Sequence, residues 1–199
     1  MNKVKIKEVI TTAIKSKEMC GVLFKYDLNY RYYFPLLSSD KLFLAANEDD
    51  FILDGFTVRR FCDVKKAEIK NNRCAEITKC EVCSDKLHAP EIDITDWYST
   101  LTSLSKMNIN MIIEKENSDY DKCEFAIGRI KKVLKTKVIF SHFDANGIWQ
   151  DEDYEIPYSQ ITSILPSVKD TENPSAPVFV LRLIRIDLSA WLEGTISSQ

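Results

Sequence analysis

The chain has 199 residues, of which 45% are hydrophobic and 29% are charged, and this composition excludes fibrous and disordered proteins. Residues 1–92 hold 16 basic and 14 acidic side chains (+2), whereas residues 93–199 hold 11 and 16 (-5). Neither half therefore has the basic excess that is typical of a nucleic-acid-binding domain.

Two features of the sequence indicate a cytoplasmic protein. The longest apolar run, residues 176–183, contains Pro177 and Arg182 and is far shorter than the about 20 residues that span a bilayer. Charged residues interrupt the N-terminal segment, which leaves no apolar core for a secretory signal. We therefore expect no membrane contact, and we expect the six cysteines to be reduced thiols.

The first half predicts one helix followed by five strands. In residues 4–18, Ile6, Ile10 and Ala13 recur at the spacing of an amphipathic helix. Segments rich in aromatic and branched residues then predict strands at residues 20–26, 31–37, 41–46, 51–60 and 63–69. Of the aromatic residues in the second strand, we expect Tyr32 and Phe34 to lie in the core, although a stacking surface for bases or a peptide is an alternative.

The second half repeats this order after an extended connection at residues 71–92. Residues 93–106 predict a helix that buries Trp97 and Leu101 and that Asp93 or Thr95 caps. Five more strands are predicted at residues 109–116, 123–134, 137–143, 147–157 and 160–165. Asp144 to Gly147 predicts a hairpin turn, and a bulge is expected just past Gly128.

Residue offsets between the halves favour an internal duplication. Residues 22–24 lie about 90 positions before residues 112–113, and residues 61–64 lie 97 positions before residues 158–161. The sequence therefore predicts a mainly β (α+β) fold of two tandem repeats, each a helix followed by a bent, five-stranded antiparallel barrel. The predicted domains are residues 1–92 and residues 93–199.

This order of elements resembles the Sm-like branch of the small SH3-like barrels, over residues 4–70 and 94–166. Sm-like proteins that bind RNA carry an Asp and an Asn in the turn after the second strand and an Arg-Gly pair near the fourth. Here the corresponding turn of the second half is Val133-Leu134-Lys135-Thr136, and the chain contains no Arg-Gly pair. The resemblance therefore implies the fold but does not carry over the family's RNA site.

Four residues in the predicted connection form a candidate zinc site. Cys80 and Cys83 have the two-residue gap that lets both sulfurs reach one zinc ion, and Cys74 and His88 are near in sequence. The spacing of Cys74 and His88 matches no common zinc motif, and cysteine is often simply a small buried residue. The more favoured interpretation is therefore a set of metal-free thiols.

The sequence gives no indication of catalysis. Only His88 and His142 could serve as a histidine base, and no nucleophile elbow, phosphate-binding loop or dinucleotide fingerprint is present. We therefore expect a protein that is not an enzyme and that uses no cofactor.

A cluster of five cations is the best candidate for contact with nucleic acid. The five residues fall within nine positions of one predicted hairpin: Arg129, Lys131, Lys132, Lys135 and Lys137. The alternative is an ordinary solvent-exposed strand face, on which lysines discourage aggregation. The acidic composition of this half favours the alternative.

The last apolar segment, residues 177–192, predicts a strand that is buried on both faces, with a helix from Leu181 onward as the alternative. It would complete a sheet between the repeats or pair with another chain in a homo-oligomer. From these patterns together we expect a binding or regulatory protein that acts through protein-protein contacts. An RNA-binding Sm-like protein and a zinc-stabilised adaptor are the alternatives.

Overall fold

The computed structural model describes residues 1–167, which form one open sheet of ten antiparallel strands with three α-helices. This arrangement confirms the predicted mainly β class. The apolar segment at residues 177–192 and its expected pairing lie outside the described residues. Within the described part of the chain, no helix is both long enough and apolar enough to span a membrane.

The elements follow the predicted order, with one added helix. The helices are α1 (Lys3–Ser16), α2 (Arg73–Glu81) and α3 (Trp97–Met107). The first five strands are β1 (Cys20–Phe24), β2 (Arg31–Ser38), β3 (Leu42–Asp49), β4 (Ile52–Arg60) and β5 (Val64–Ile69). The other five are β6 (Met111–Lys115), β7 (Glu124–Val133), β8 (Lys137–His142), β9 (Tyr154–Pro157) and β10 (Ser163–Pro166).

Both halves place their strands in the same order across the sheet. The full order is β5-β1-β2-β3-β4-β10-β6-β7-β8-β9, so the last strand of each half lies beside its first strand. The halves meet where β4 pairs with β10, with Val58 opposite Ile164 and Arg59 opposite Ser163. Strands β5 and β9 form the two ends of the sheet.

The prediction of an extended connection at residues 71–92 was wrong, because this segment contains α2 and a short 3-10 turn, Ser84–Lys86. The Asn72 side chain caps α2 by accepting a hydrogen bond from the Ala75 N–H at 2.9 Å. Only Ala75 and Thr78 of this helix are buried. Such a short apolar stripe gives a weak helical pattern, which explains why the sequence did not indicate it.

The cap of α3 also differs from the prediction. Asp96, rather than Asp93 or Thr95, accepts a hydrogen bond from the Ser99 N–H at 2.9 Å. The Asp93 carboxylate instead accepts from the Thr95 N–H in the preceding turn. The helix therefore begins at Trp97, and its buried face packs into the core as predicted.

Helices α1 and α2 cover opposite faces of the first half. Ile6 and Ile10 of α1 pack with Tyr33 in one core cluster, whereas Ala75 of α2 packs with Phe34 in another. Tyr33 and Phe34 are adjacent on β2 and therefore point to opposite faces. Tyr32 is 38% exposed, so its predicted place in the core was wrong.

Strand β7 bends where the sequence indicated irregularity. A Cβ atom at Gly128 would lie 1.9 Å from the Ser141 carbonyl oxygen, so only glycine permits this approach of β8. The register shift falls between Ile130 and Lys132, slightly later than expected. The predicted hairpin turn at Asp144 to Gly147 is confirmed, since Gly147 has a φ of 78° and its N–H donates to Asp144.

The third and largest core cluster joins the two halves. Leu42, Leu44 and Val58 of the first half pack in it with Trp97 and Leu101 of α3. The hydrophobic core is therefore continuous across the junction of β4 and β10.

A buried ion-pair network lies at the same junction. The Arg59 side chain of β4 is only 3% exposed and contacts Glu116 at 2.5 Å and Glu114 at 3.4 Å. Arg31 of β2 pairs with the same Glu116 at 2.6 Å. Both guanidiniums also lie over the Phe24 ring, with Arg59 5.0 Å from its centroid. Two cations of the first half are thus neutralised by carboxylates of the second half.

Replacing Arg59 should strongly destabilise the protein. The change Arg59→Met removes the cation and leaves Glu114 and Glu116 poorly compensated, so we expect the free energy of unfolding to fall by about 3 kcal/mol. Denaturant unfolding measures this change. Lys132→Met, at an exposed position of β7, is the matched control and should change stability by no more than about 0.5 kcal/mol. Equal effects of both changes would contradict the role of the network.

Glu116 should make stability depend on pH. Burial alone would raise the pKa of this carboxyl, but the Arg59 and Arg31 guanidiniums hold the pKa below its ordinary value of 4.5. The stabilisation is therefore present above the ordinary pKa and is lost as pH falls through the lower, folded value. We expect Glu116→Gln to destabilise the protein at about pH 7 and to destabilise it less at about pH 3. Urea unfolding at both pH values tests this, and a difference that is constant with pH would contradict it.

Candidate binding cleft

A cleft of about 620 Å³ opens where the two halves meet. The first half contributes the start of α1, the turn between β2 and β3, and the segment that follows β4. The second half contributes the first turn of α3, the turn between β7 and β8, and Tyr158, which follows β9. Five separate segments of chain and one residue after β9 therefore meet at one site.

The lining combines aromatic rings with cations. The aromatic side chains are Phe61, Trp97, Tyr98 and Tyr158, and the basic ones are Lys3, Lys7, Lys41, Arg60 and Lys135. Two carboxylates, Asp40 and Asp96, also line the cleft. Most of the lining surface is apolar, so the floor favours hydrophobic contact and the charges surround it.

Lys7 and Phe61 organise the side of the cleft that the first half forms. The Lys7 ammonium lies 3.3 Å from the Asp40 carboxylate and 5.5 Å from the centroid of the Phe61 ring. The Phe61 N–H donates to the Lys41 carbonyl at 2.9 Å, which holds the turn between β2 and β3 against the end of β4. The ring itself is buried against Phe43 in the core beneath α1.

Arg60 connects the two halves beside the cleft. Its Nε donates to the buried Asp63 carboxylate at 2.6 Å, and its guanidinium also donates to the Ser159 carbonyl at 2.9 Å. The first contact lies within the first half and the second reaches the turn between β9 and β10. Arg60 therefore fixes the relative position of the two sides.

Tyr158 forms part of the opposite side. Its N–H donates to the Thr136 carbonyl at 3.0 Å and its hydroxyl donates to the Leu134 carbonyl, which attaches it to the turn between β7 and β8. Burial, together with the nearby Tyr98 and Asp96, raises the pKa of Tyr158 to about 12. The hydroxyl therefore stays protonated at physiological pH and serves as a hydrogen-bond donor.

The cleft has the chemistry of a binding site. Tyr98 is 48% exposed beside the buried Trp97, so an aromatic surface is available to a ligand. Lys3, Lys41 and Lys135 are exposed around it. A ligand that presents apolar groups to the floor and acidic groups to the edge would match this arrangement.

The five cations predicted to bind nucleic acid do not form one free surface. Lys131 pairs with Asp153 at 2.7 Å, and Lys137 pairs with Glu155. Arg129 donates to the Asn110 side chain at 2.7 Å and lies over the Trp149 ring. Lys132 is exposed on β7, and only Lys135 lies in the cleft.

The four candidate zinc ligands are all exposed. Cys74 lies in the first turn of α2, Cys80 in its last turn, and Cys83 just beyond it with a φ of 49°. The His88 Nδ1 is 2.5 Å from the Lys86 carbonyl oxygen. Among residues 1–167, no three or more histidine, cysteine, aspartate or glutamate side chains are grouped so that they could hold a metal ion.

Sequence reasoning missed most of the cleft. Lys3, Lys41, Tyr98 and Tyr158 come from four segments that no motif connects. The only partial signal was Lys135, which belonged to the predicted basic hairpin. Their proximity depends on the pairing of β4 with β10, which the sequence did not indicate.

Comparisons with known proteins identify no relative: no protein-family model, curated protein or solved structure matches the chain.

The exposed thiols should hold no stoichiometric zinc. We expect elemental analysis of protein purified without chelator to give well under one zinc per chain, because one Cys-x-x-Cys pair supplies two of the four ligands that a structural site needs. Cys80→Ser is the matched variant. About one zinc per chain in the wild type, lost in this variant together with thermal stability, would contradict the expectation and support the zinc-stabilised adaptor.

Proposed function

We propose that this protein is a non-enzymatic binding protein that holds a segment of another protein in the cleft between its halves. The observation that carries the proposal is the cleft itself, which combines a mostly apolar floor with exposed lysines. We further propose that the two halves are diverged copies of one helix-plus-barrel unit of Sm-like or SH3-like type. The shared strand order of the halves supports this origin.

The charges around the cleft favour an acidic ligand. Lys7 and Arg60 are paired with Asp40 and Asp63, so much of their charge is already compensated. The remaining exposed lysines, Lys3, Lys41 and Lys135, surround the apolar floor. A short peptide with aromatic or aliphatic side chains and one or two carboxylates would satisfy both features.

A peptide fits this chemistry better than a nucleic acid does. A nucleic acid needs a continuous track of cations, because its affinity grows with the number of phosphates that are neutralised. In the cleft, the carboxylates of Asp40 and Asp96 interrupt such a track. Two carboxylates would repel phosphates at close range, whereas a peptide can place amides or hydroxyls beside them.

Peptide selection against the full chain tests the proposal. From a library of random linear peptides, we expect the retained sequences to combine acidic residues with aromatic or large aliphatic ones. Tyr98→Ala and Lys135→Glu should each weaken binding of a selected peptide by at least about tenfold, which corresponds to about 1.4 kcal/mol. Fluorescence anisotropy measures the affinities.

Lys132→Glu is the control for charge reversal, because Lys132 lies on the same hairpin as Lys135 but outside the cleft lining. It should leave peptide affinity unchanged. If no acidic or apolar preference emerges, or if all three variants bind equally well, the ligand does not occupy the cleft and the proposal fails.

RNA is the second candidate, and the observation that favours it is the presence of Lys135 beside the exposed Tyr98 in the cleft. A base could stack on the ring while the lysine contacts phosphate. A labelled single-stranded RNA in the same anisotropy experiment distinguishes the two ligands. Tight binding that weakens steeply with salt and requires both residues would favour RNA over the peptide.

A further inference from the structure

The two end strands of the sheet present edges with which no other strand of the described residues pairs, although the Met1 amine donates a hydrogen bond to the Lys65 carbonyl of β5. Strand β5 is last at one end and β9 is last at the other. Unpaired edges expose backbone N–H and C=O groups, and proteins usually cover them or pair them. These edges lie on different halves, so the molecule has two distinct ends.

The pairing of β9 with β8 shows which backbone groups of β9 point to its open side. The Tyr158 N–H donates to the Thr136 carbonyl of the neighbouring turn, and the register between β8 and β9 continues without a shift through Ile156. Along an antiparallel strand, the backbone N–H and C=O groups of successive residues point alternately to the two sides of the strand. Those of Ile156 therefore point to β8, as the Tyr158 N–H does, and those of Glu155 point to the open edge.

The same reasoning applies to β5. The Lys70 N–H donates to the Met19 carbonyl, and Glu68 pairs in the same register with Gly21 of β1. Ala67 lies between Glu68 and Lys66, whose backbone groups point to β1, and it therefore directs its own N–H and C=O to the open edge.

The junction inside the molecule indicates how these two edges fit. There, Val58 of β4 pairs with Ile164 of β10. Glu155 lies 97 positions after Val58, and Ala67 lies 97 positions before Ile164. The same offset of 97 relates residues 61–64 to residues 158–161. Glu155 at one open edge therefore corresponds to Val58, and Ala67 at the other corresponds to Ile164, and Val58 and Ile164 already pair inside the molecule.

Charge favours the same contact. Lys65 and Lys66 are exposed on β5. Strand β9 carries the exposed Glu155 and follows an acidic run at residues 151–153, and Glu155 and Asp153 already pair with Lys137 and Lys131. The complementarity therefore rests on net charge, because the first half carries +2 and the second half carries -5.

We propose that copies of this chain assemble head to tail, with β9 of one copy pairing antiparallel to β5 of the next and Glu155 opposite Ala67. The interface joins two different surfaces, so each copy keeps one free end until the assembly closes or extends. The buried Arg59 network has no counterpart at these edges, because Ile156 takes the place that Arg59 occupies at the internal junction. The contact is therefore weaker than the internal one and depends on concentration and salt.

Mass measurement of the full chain is the first test. Sedimentation velocity should give species heavier than the 23.0 kDa chain as concentration rises, and added salt should shift the distribution back toward the monomer. Glu155→Pro removes an edge-facing N–H from β9, and Ala67→Pro removes one from β5. Each variant alone should stop at the monomer.

Mixing the two variants tests the head-to-tail geometry. Glu155→Pro retains an intact β5 edge and Ala67→Pro retains an intact β9 edge, so an equimolar mixture should form a dimer and nothing larger. A circular dichroism spectrum and a melting curve establish that each variant is folded. If Ala67→Pro does not fold, the double change Lys65→Glu and Lys66→Glu takes its place, since it weakens the same edge by charge alone.

Three results would overturn the proposal. One is a wild-type chain that stays monomeric at all concentrations, as it would if another part of the chain covers an edge. Another is a folded Glu155→Pro variant that assembles like the wild type. The third is a mixture that remains monomeric although each folded variant alone has lost assembly, because in a head-to-tail contact the intact β9 edge of one variant should pair with the intact β5 edge of the other.

Discussion

The pairing of β4 with β10 is the contact on which the rest of the structure depends. It joins ten strands into one sheet, and it makes the core beneath α3 continuous with residues of β3 and β4. Arg59 lies at this pairing, with its charge compensated by Glu114 and Glu116 from the other half. The guanidinium is almost fully buried, so it depends on these carboxylates rather than on water for charge compensation.

A buried network of this kind stabilises less than its short distances suggest, because removing charges from water is costly. The network has a stronger effect on which strand edge can pair with β4. A strand without carboxylates at the positions of Glu114 and Glu116 would leave Arg59 buried and unpaired, which is strongly unfavourable. The network therefore favours β10, backed by β6, as the neighbour of β4 over any other strand edge.

The cleft is a consequence of this junction. Because β4 and β10 are neighbours, the turn between β2 and β3 comes close to the turn between β7 and β8, and the first turns of α1 and α3 contribute to one site. Arg60, next to Arg59, spans from Asp63 to Ser159 and connects both sides. The cleft is lined mainly by turns and the first turns of helices, whereas the proposed edge contacts use the backbones of β5 and β9.

The local sequence determined the identity of most elements of the fold. Helical spacing specified α1 and α3, and alternating branched and aromatic residues specified ten strands, because these patterns reflect burial on one face of a regular element. Weak stripes were missed, as in α2, and Tyr32, which was expected in the core, is exposed. Only the tertiary structure decided that β4 pairs with β10, that Arg59 is buried between carboxylates, and that Tyr98 and Lys135 share a cleft. Those contacts join residues that are distant along the chain, and no periodicity in the sequence records which sheet edges meet.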